Sequence, residues 1–161
     1  MPINSILDDL QDFAFFGGID RETLEKVGDL FDAGSYPPGT RIIVEGSSGN
    51  RLFIITSGRA EVSVRGPDAD GHKTESVLAT HGRGDTFGEM ELLDTQKRSA
   101  SVTALEPVET LELTNMGLYQ IFLRDPDVFR MIVMNLARDL SRRLRLADQQ
   151  LALVCTGPAP R

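Results

Sequence analysis

The sequence predicts a mainly β protein of jelly-roll type with helices on both sides of the β region. Three observations favour this fold: short segments rich in Val, Ile and Thr, turn residues at regular intervals between them, and helical spacing of apolar residues before and after them. A chain of 161 residues, 40% of them hydrophobic, is long enough to bury one core. We therefore expect one domain over residues 1–154, with a helical lead at 4–32, a β-roll at 34–114, helices at 116–153 and a flexible tail at 155–161.

The β region is predicted from its short segments and their turns. The stretch "GSYPPGT" ends the helical pattern of the lead, because two prolines and two glycines favour a turn. Asp70-Gly71 is a hairpin signal between the third and fourth strands. Six strands are expected, at residues 41–45, 51–56, 59–65, 74–80, 101–105 and 109–114.

The helices are predicted from apolar spacing and from capping residues. The lead holds two helices, at 5–13 and 20–31, and Asp20 is the N-cap of the second. Asp125-Pro126 starts a long helix that reaches about Leu153. We expect its apolar stripe to pack on the β region, with a homodimer or protein partner as the alternative; the stripe comprises Val133, Leu136, Leu140, Leu144, Ala147 and Leu151.

Composition limits the partners. Seventeen Lys and Arg against twenty-four Asp and Glu give a net charge of −7, which repels nucleic acid and anionic membrane surfaces. No segment has the roughly 20 apolar residues of a membrane span. The single cysteine, Cys155, is expected of a chain in a reducing compartment. We therefore expect a cytoplasmic protein with no nucleic-acid partner and no membrane insertion.

The chain offers few side chains for catalysis. His72 and His81 are its only histidines, and both are expected on the surface, so a catalytic metal site of cupin type is disfavoured. No G-x-S-x-G nucleophile motif is present. We expect no catalytic residues, no metal site and no catalytic cofactor, and a protein that is not an enzyme.

The segment "FGEMELLDTQKRSASV", residues 87–102, suggests an anion site. Gly88 allows another molecule to approach the backbone, and "EMELLD" is expected to form a helical turn whose first N–H groups attract an anion. Arg98 and Ser99 add donors suited to phosphate oxygens, whereas Glu89 suits a sugar hydroxyl. The pattern is that of a ligand with a phosphate and a hydroxyl close together; the alternative is an exposed salt bridge between Glu89 and Arg98.

The same segment closely resembles the phosphate-binding cassette of cyclic nucleotide-binding domains, the family of the cAMP receptor protein and the protein kinase A regulatory subunit. The resemblance continues in "YPPGTRIIVEG", "LFIITSGRAEVSV" and "PDVFRMIVMNLARDLSRRL", and it covers about 130 residues in order. It implies a double-stranded β-helix with a long C-terminal lid helix.

The resemblance also implies a role for each residue of the site. Glu89 would accept a hydrogen bond from the ribose 2′-OH, and Arg98 would pair with the phosphate. The phosphate would also be bound by the backbone N–H groups of Gly88, Met90 and Ser99. The apolar wall beside the sugar and base would comprise Val62, Leu78 and Phe87. The base contacts on the lid helix would be Arg142 and Arg143. Lys97 replaces a proline common in the family, and Ser99 replaces a threonine frequent in cGMP-selective members, which favours cAMP, with cGMP as the alternative.

The expected function is that of a stand-alone cAMP sensor, in which ligand binding shifts the lid helix and reports to a partner. We expect no output domain of the kind that the family's longer members carry. The alternative is a degenerate interaction module of the same fold that acts by dimerisation or partner docking without a ligand.

Overall fold

The computed structural model describes residues 10–67, 70–93 and 96–155. A 3₁₀ turn at Ala14–Phe16, helix α1 at Arg21–Val27 and a second 3₁₀ turn at Gly28–Leu30 lead into the β region. The strands are β1 (Phe31–Tyr36), β2 (Arg41–Ile43), β3 (Arg51–Ser57), β4 (Ala60–Pro67), β5 (Lys73–His81), β6 (Thr86–Phe87), β7 (Ser101–Ala104) and β8 (Val108–Thr114). The remaining helices are α2 (Met90–Leu93), α3 (Asn115–Arg124) and α4 (Pro126–Cys155).

The strands form two antiparallel four-stranded sheets, in the order β1-β8-β3-β6 and β2-β7-β4-β5. The chain crosses between the sheets repeatedly, as in a jelly roll. The predicted fold class, a mainly β roll with flanking helices and a long C-terminal helix, is confirmed.

Strand β3 explains why the roll has two cores. Its residues Leu52, Phe53, Ile54 and Ile55 are all buried, so both faces of the strand are covered. Leu52 and Ile54 pack towards the helices, and Phe53 and Ile55 pack between the two sheets. A continuous apolar run in one strand is therefore the signature of its central position.

Capping residues set the helix starts. The Asp20 carboxylate accepts a hydrogen bond from the Thr23 N–H at 2.8 Å. Helix α1 begins at Arg21, so Asp20 is its N-cap, as the sequence predicts. The Asp125 carboxylate accepts from the Asp127 and Val128 N–H groups, both at 3.1 Å, at the start of α4.

Helix α4 is tied to the lead by one buried amide. The Asn135 side chain donates to the carbonyls of Phe15 at 3.1 Å and Gly17 at 2.9 Å. Ile132 and Leu136 pack in the helix-side core beside it. The first half of α4 is therefore anchored, and its later residues extend the helix past the core.

The structure corrects two of the predicted elements. The second lead helix does not reach residue 31, because Phe31–Tyr36 pairs with β8 residue by residue instead. Gly34 makes this pairing possible, since a Cβ there would come within 2.1 Å of Glu112 Oε1. Strand β6 was also not predicted, because two residues are too few to show a period.

Two parts of the sequence prediction lie outside the described residues: positions 4–9 of the lead and 156–161 of the tail. Cys155, expected in the tail, is the last residue of α4. Within the described residues, no helix is both long and apolar enough to cross a membrane, and no group of three or more His, Cys, Asp or Glu residues is arranged to hold a metal ion.

Candidate functional site

A cavity of about 200 Å³ opens between the inner face of the second sheet, the turn from β6 to α2, and helix α4. Its lining combines apolar side chains with a carboxylate, an imidazole and three cations: Ile43, Val62, Leu78, Phe87, Val102, Met90, Glu89, His81, Lys97, Arg98 and Arg143, with Gly88, Ser99 and Ala100. The predicted cassette therefore forms one wall of a real cavity.

Gly88 shapes the turn that starts this wall. Its φ of +79° lies in the left-handed region, and a Cβ there would come 2.5 Å from Arg98 Nη1 and 2.8 Å from the Arg51 carbonyl oxygen. Helix α2 begins two residues later, which confirms the predicted helical turn. Glycine is thus required at position 88 by the left-handed backbone conformation and by the lack of space for a Cβ.

Arg98 donates to two backbone carbonyls. Its Nη1 donates to the Gly88 carbonyl at 3.1 Å, and its Nη2 donates to the Arg51 carbonyl at 2.9 Å. The guanidinium carbon lies 6.0 Å from the centroid of the Phe53 ring, and the side chain is only 8% exposed. These contacts orient a buried cation at the edge of the cavity.

Glu89 is a buried carboxylate with one unsatisfied oxygen. The residue is 6% exposed, and its Oε2 has no hydrogen-bond partner among the described residues. Its Oε1 accepts from Arg143 Nη1 at 3.3 Å. Burial raises the pKa of the Glu89 carboxyl, and the nearby Arg143 guanidinium opposes that rise. The alternative pairing of Glu89 with Arg98 is therefore wrong, because the ion-pair partner of Glu89 is Arg143.

Arg143 connects helix α4 to the site. Its Nη2 donates to the Thr86 carbonyl at 2.6 Å and to the Thr86 hydroxyl at 3.1 Å. The same guanidinium pairs with Asp139, one turn earlier on α4, at 2.7 Å. One side chain of the long helix thus bridges a strand and the buried carboxylate.

The structure brings nine of the ten predicted site residues to the cavity. Arg142 is the exception: its side chain pairs with Asp139 and lines a second cavity of about 260 Å³, together with Asp12 and Arg83. Neighbouring residues on a helix point about 100° apart, and here Arg143 lines the first cavity whereas Arg142 lines the second. Arg142 is therefore not supported as a contact of the same ligand.

Sequence reasoning missed three polar residues of the site. Thr86 and Asp139 contact Arg143, and Asp139 could have been found as the acidic residue four positions before it. His81 was expected on the surface, and that was wrong, because the residue is half-buried and lines the cavity. Burial lowers the pKa of its imidazole, and Arg143 lowers it further, whereas Asp85 and Asp139 oppose the change.

Comparison with known families agrees with this geometry. Residues 33–125 match the family model described as "Cyclic nucleotide-binding domain". The chain belongs to this family. The matched range begins within β1, contains strands β2 to β8 and the whole cassette, and ends just before helix α4.

Among similar proteins, the cyclic AMP receptor protein of Thermus thermophilus is 36% identical over 139 residues, which are 86% of this chain and 61% of that protein. The crystal structure of the T. thermophilus catabolite activator protein superposes with a TM-score of 0.74 at 34% identity, and covers 88% of this chain and 63% of that one. The regulatory domain of Toxoplasma gondii PKA, crystallised with cAMP, gives a TM-score of 0.61 at 28% identity, with 73% and 43% coverage. This cyclic nucleotide-binding domain therefore spans about three fifths of the bacterial relative.

We predict that Gly88→Ala destabilises the fold more than Gly39→Ala does. Both glycines have φ of +79°, but a Cβ at Gly39 meets nothing within 4 Å. The left-handed backbone costs roughly 1–2 kcal/mol for each variant, and the contacts with Arg98 and the Arg51 carbonyl add to it only at Gly88. Urea unfolding of both variants measures the difference, and equal losses would show that Gly88 is needed for its φ alone.

We predict that Glu89→Gln gains stability relative to the wild type as the pH rises. The pKa of Glu89 is higher in the folded state than in the unfolded state. The protonated carboxyl therefore contributes its full stability below the unfolded-state pKa of about 4.3, and the wild type loses this contribution as the pH rises through the folded-state pKa. Urea unfolding from pH 4 to pH 8 measures the difference between the two proteins. Glu25→Gln, on the exposed side of α1, controls for loss of one charge. If the difference in stability between Glu89→Gln and the wild type stays constant with pH, the pKa of Glu89 is not raised.

Proposed function

We propose that the chain binds a cyclic nucleotide, with cAMP as the ligand, and reports its presence through helix α4. The observation that carries this proposal is the buried Glu89 Oε2, an acceptor without a described partner, in a cavity that also holds Arg98. An unsatisfied buried acceptor costs about 1–3 kcal/mol, so such an atom is expected to meet a donor when the site functions. A ribose 2′-OH is a donor of the right kind.

Arg98 supports the same ligand, because it offers positive charge and hydrogen-bond donors where Glu89 offers an acceptor. The two carbonyl bonds fix its guanidinium, and a cyclic phosphate offers the oxygens that a guanidinium recognises. Backbone N–H groups of Gly88, Met90 and Ser99 are proposed to complete the phosphate cradle. Val62, Leu78 and Phe87 are then the apolar wall beside the sugar and base.

The names of two relatives favour cAMP, whereas a third, from Drosophila melanogaster and 32% identical over 140 residues, is named cGMP-dependent protein kinase. The similar Thermus protein is named for cyclic AMP, and the similar Toxoplasma domain was crystallised with it. Ser99 agrees with this preference, since cGMP-selective members often have threonine there. cGMP remains the second ligand to be tested.

The proposed response is a movement of helix α4. Arg143 contacts Oε1 of Glu89, and the sugar hydroxyl would use the neighbouring Oε2, so a bound nucleotide would lie directly against the Arg143 guanidinium. The cavity is also smaller than the roughly 300–1,000 Å³ usual for ligand sites. Binding is therefore expected to shift Arg143, and with it the equilibrium position of the helix.

Isothermal titration with cAMP and cGMP tests the ligand. We expect the wild type to bind cAMP and Arg98→Ala to bind it about 10- to 100-fold more weakly, because a charge-assisted bond is lost. Arg145→Ala removes the same charge from an exposed position of α4 and should bind like the wild type. If neither nucleotide gives heat with the wild type at high protein concentration, the proposed function is wrong.

The sugar contact has its own control in the same titration. 2′-Deoxy-cAMP should bind the wild type more weakly than cAMP, because it lacks the donor for Glu89. Glu89→Gln should distinguish the two nucleotides much less. An undiminished preference for cAMP in Glu89→Gln would place the hydroxyl elsewhere.

A second candidate function is docking of another chain on the far half of α4. Four large leucines are exposed there, with Leu144 at 63% and Leu151 at 62%, although isolated exposed leucines are ordinary on a surface. The residues are Leu144, Leu146, Leu151 and Leu153. The first three residues of the predicted stripe are not available for docking, because Leu136 is buried and Val133 and Leu140 are half-buried.

We predict for this second candidate that the wild type is a dimer and that Leu144→Glu with Leu151→Glu makes it monomeric. A buried glutamate pair in a helix seam is costly, so dissociation is the expected result. Sedimentation equilibrium measures the mass, and Gln149→Glu is the matched exposed control on the same helix. A monomeric wild type at high concentration would eliminate the homodimer.

A further inference from the structure

His81 is the one histidine in the lining of the cavity. It lies opposite Ala60 in the β4–β5 pair, and Ala60 is buried in the core between the sheets. Residues directly opposite in an antiparallel pair point to the same face, so the His81 ring points into the roll. The cavity that it lines also has apolar walls, to which Val62 and Leu78 of the same two strands contribute.

The hydrogen-bonding capacity of this ring is unused within the described residues. Its side chain is 15% exposed, and Asp85 Oδ2 lies 3.8 Å from Nδ1, beyond hydrogen-bond distance. Neutral imidazole has one donor and one acceptor. A polar ring that faces a cavity with unused hydrogen-bonding capacity is suited to a ligand with a polar edge.

The strand register places His81 away from the phosphate end. His81 is opposite Ala60 of β4, and Ala60 is opposite Ala104 of β7, whereas the cassette that carries Arg98 enters β7 three residues earlier, at Ser101. The charged groups that act on the ring are Arg143 and Asp139 of α4 and Asp85 of the turn after β5, and Arg143 also pairs with Glu89. In a cyclic nucleotide the base and the phosphate lie on opposite sides of the sugar, so residues beyond Glu89 are on the base side.

We propose that His81 is a specificity-determining residue that hydrogen-bonds the polar edge of a purine base in its neutral form. The inference rests on the proposed function and extends it from the phosphate and sugar to the base. The neutral ring can either accept from the amino group of adenine or donate to one of its ring nitrogens.

The test uses base analogues, because a packing role and a base contact give different results. We would titrate wild type, His81→Leu and His81→Asn with cAMP, with purine riboside 3′,5′-cyclic monophosphate, which lacks the amino group, and with 7-deaza-cAMP, which lacks N7. His81→Leu should weaken cAMP binding by about three- to tenfold, the value of one neutral hydrogen bond. The loss should be much smaller for the analogue that lacks the contacted atom, and His81→Asn should recover part of it.

Titration against pH gives a second readout. Because the neutral ring is the binding form, affinity should fall as the pH drops through the lowered pKa of His81. Burial also raises the pKa of Glu89, so the decisive quantity is the difference between wild type and His81→Leu, which should vanish at low pH. His72→Asn, an exposed histidine before β5, is the matched control.

The outcomes separate this inference from the proposed function. If wild type binds no cyclic nucleotide, both are overturned. If wild type binds and His81→Leu loses the same factor with all three nucleotides, only the base contact is overturned, and His81 is a packing residue. Unchanged melting temperatures of the His81 variants show that the folded state is intact.

Discussion

Two backbone carbonyls that hold a buried guanidinium organise this molecule. The bonds from Arg98 to Gly88 and Arg51 join the cassette to the start of β3, the strand that is covered on both faces. A buried cation needs such partners, since its desolvation is otherwise costly. The left-handed glycine at position 88 is what lets the guanidinium come so close to the backbone.

Glu89 is stabilised in a different way, and this difference is what makes the site suited to binding. One oxygen is paired with Arg143, and the other has no described partner, so part of the cost of burial remains uncompensated. A site that is fully satisfied by its own residues gains nothing from a ligand hydroxyl. The proposed binding function therefore depends on incomplete pairing within the protein.

Helix α4 takes part in both the core and the site. Ile132 and Leu136 pack in the core, and Asn135 fixes the helix to the lead, whereas Arg143 contacts the site two turns later. The contacts of Ile132 and Leu136 are apolar and buried, whereas the contacts of Arg143 are polar and only partly buried. A ligand can therefore be expected to change the second set of contacts without breaking the first.

Much of the strand pattern and the cassette could be predicted, because Val, Ile and Thr runs and a Gly-Glu with a following Arg are local features. Strand β1 could not, since "FDAGSY" has no strand period and is a strand through its pairing with β8. Arg142 and Arg143 are equivalent in the sequence, and only the phase of the packed helix selects Arg143. His81 looked like a surface residue because the sequence of an edge strand does not say which face is inside.

The sequence by itself determined the fold class and the residue types of the cassette, because local propensity, turn chemistry and motif spacing are written in neighbouring residues. Only the tertiary structure decided the partners of the charges. Glu89 pairs with a side chain 54 residues away and Arg98 with a carbonyl 47 residues away, so both are set by how the sheets and helix α4 pack. Electrostatic pairing depends on distance in space, and distances across a roll cannot be read from spacing along the chain.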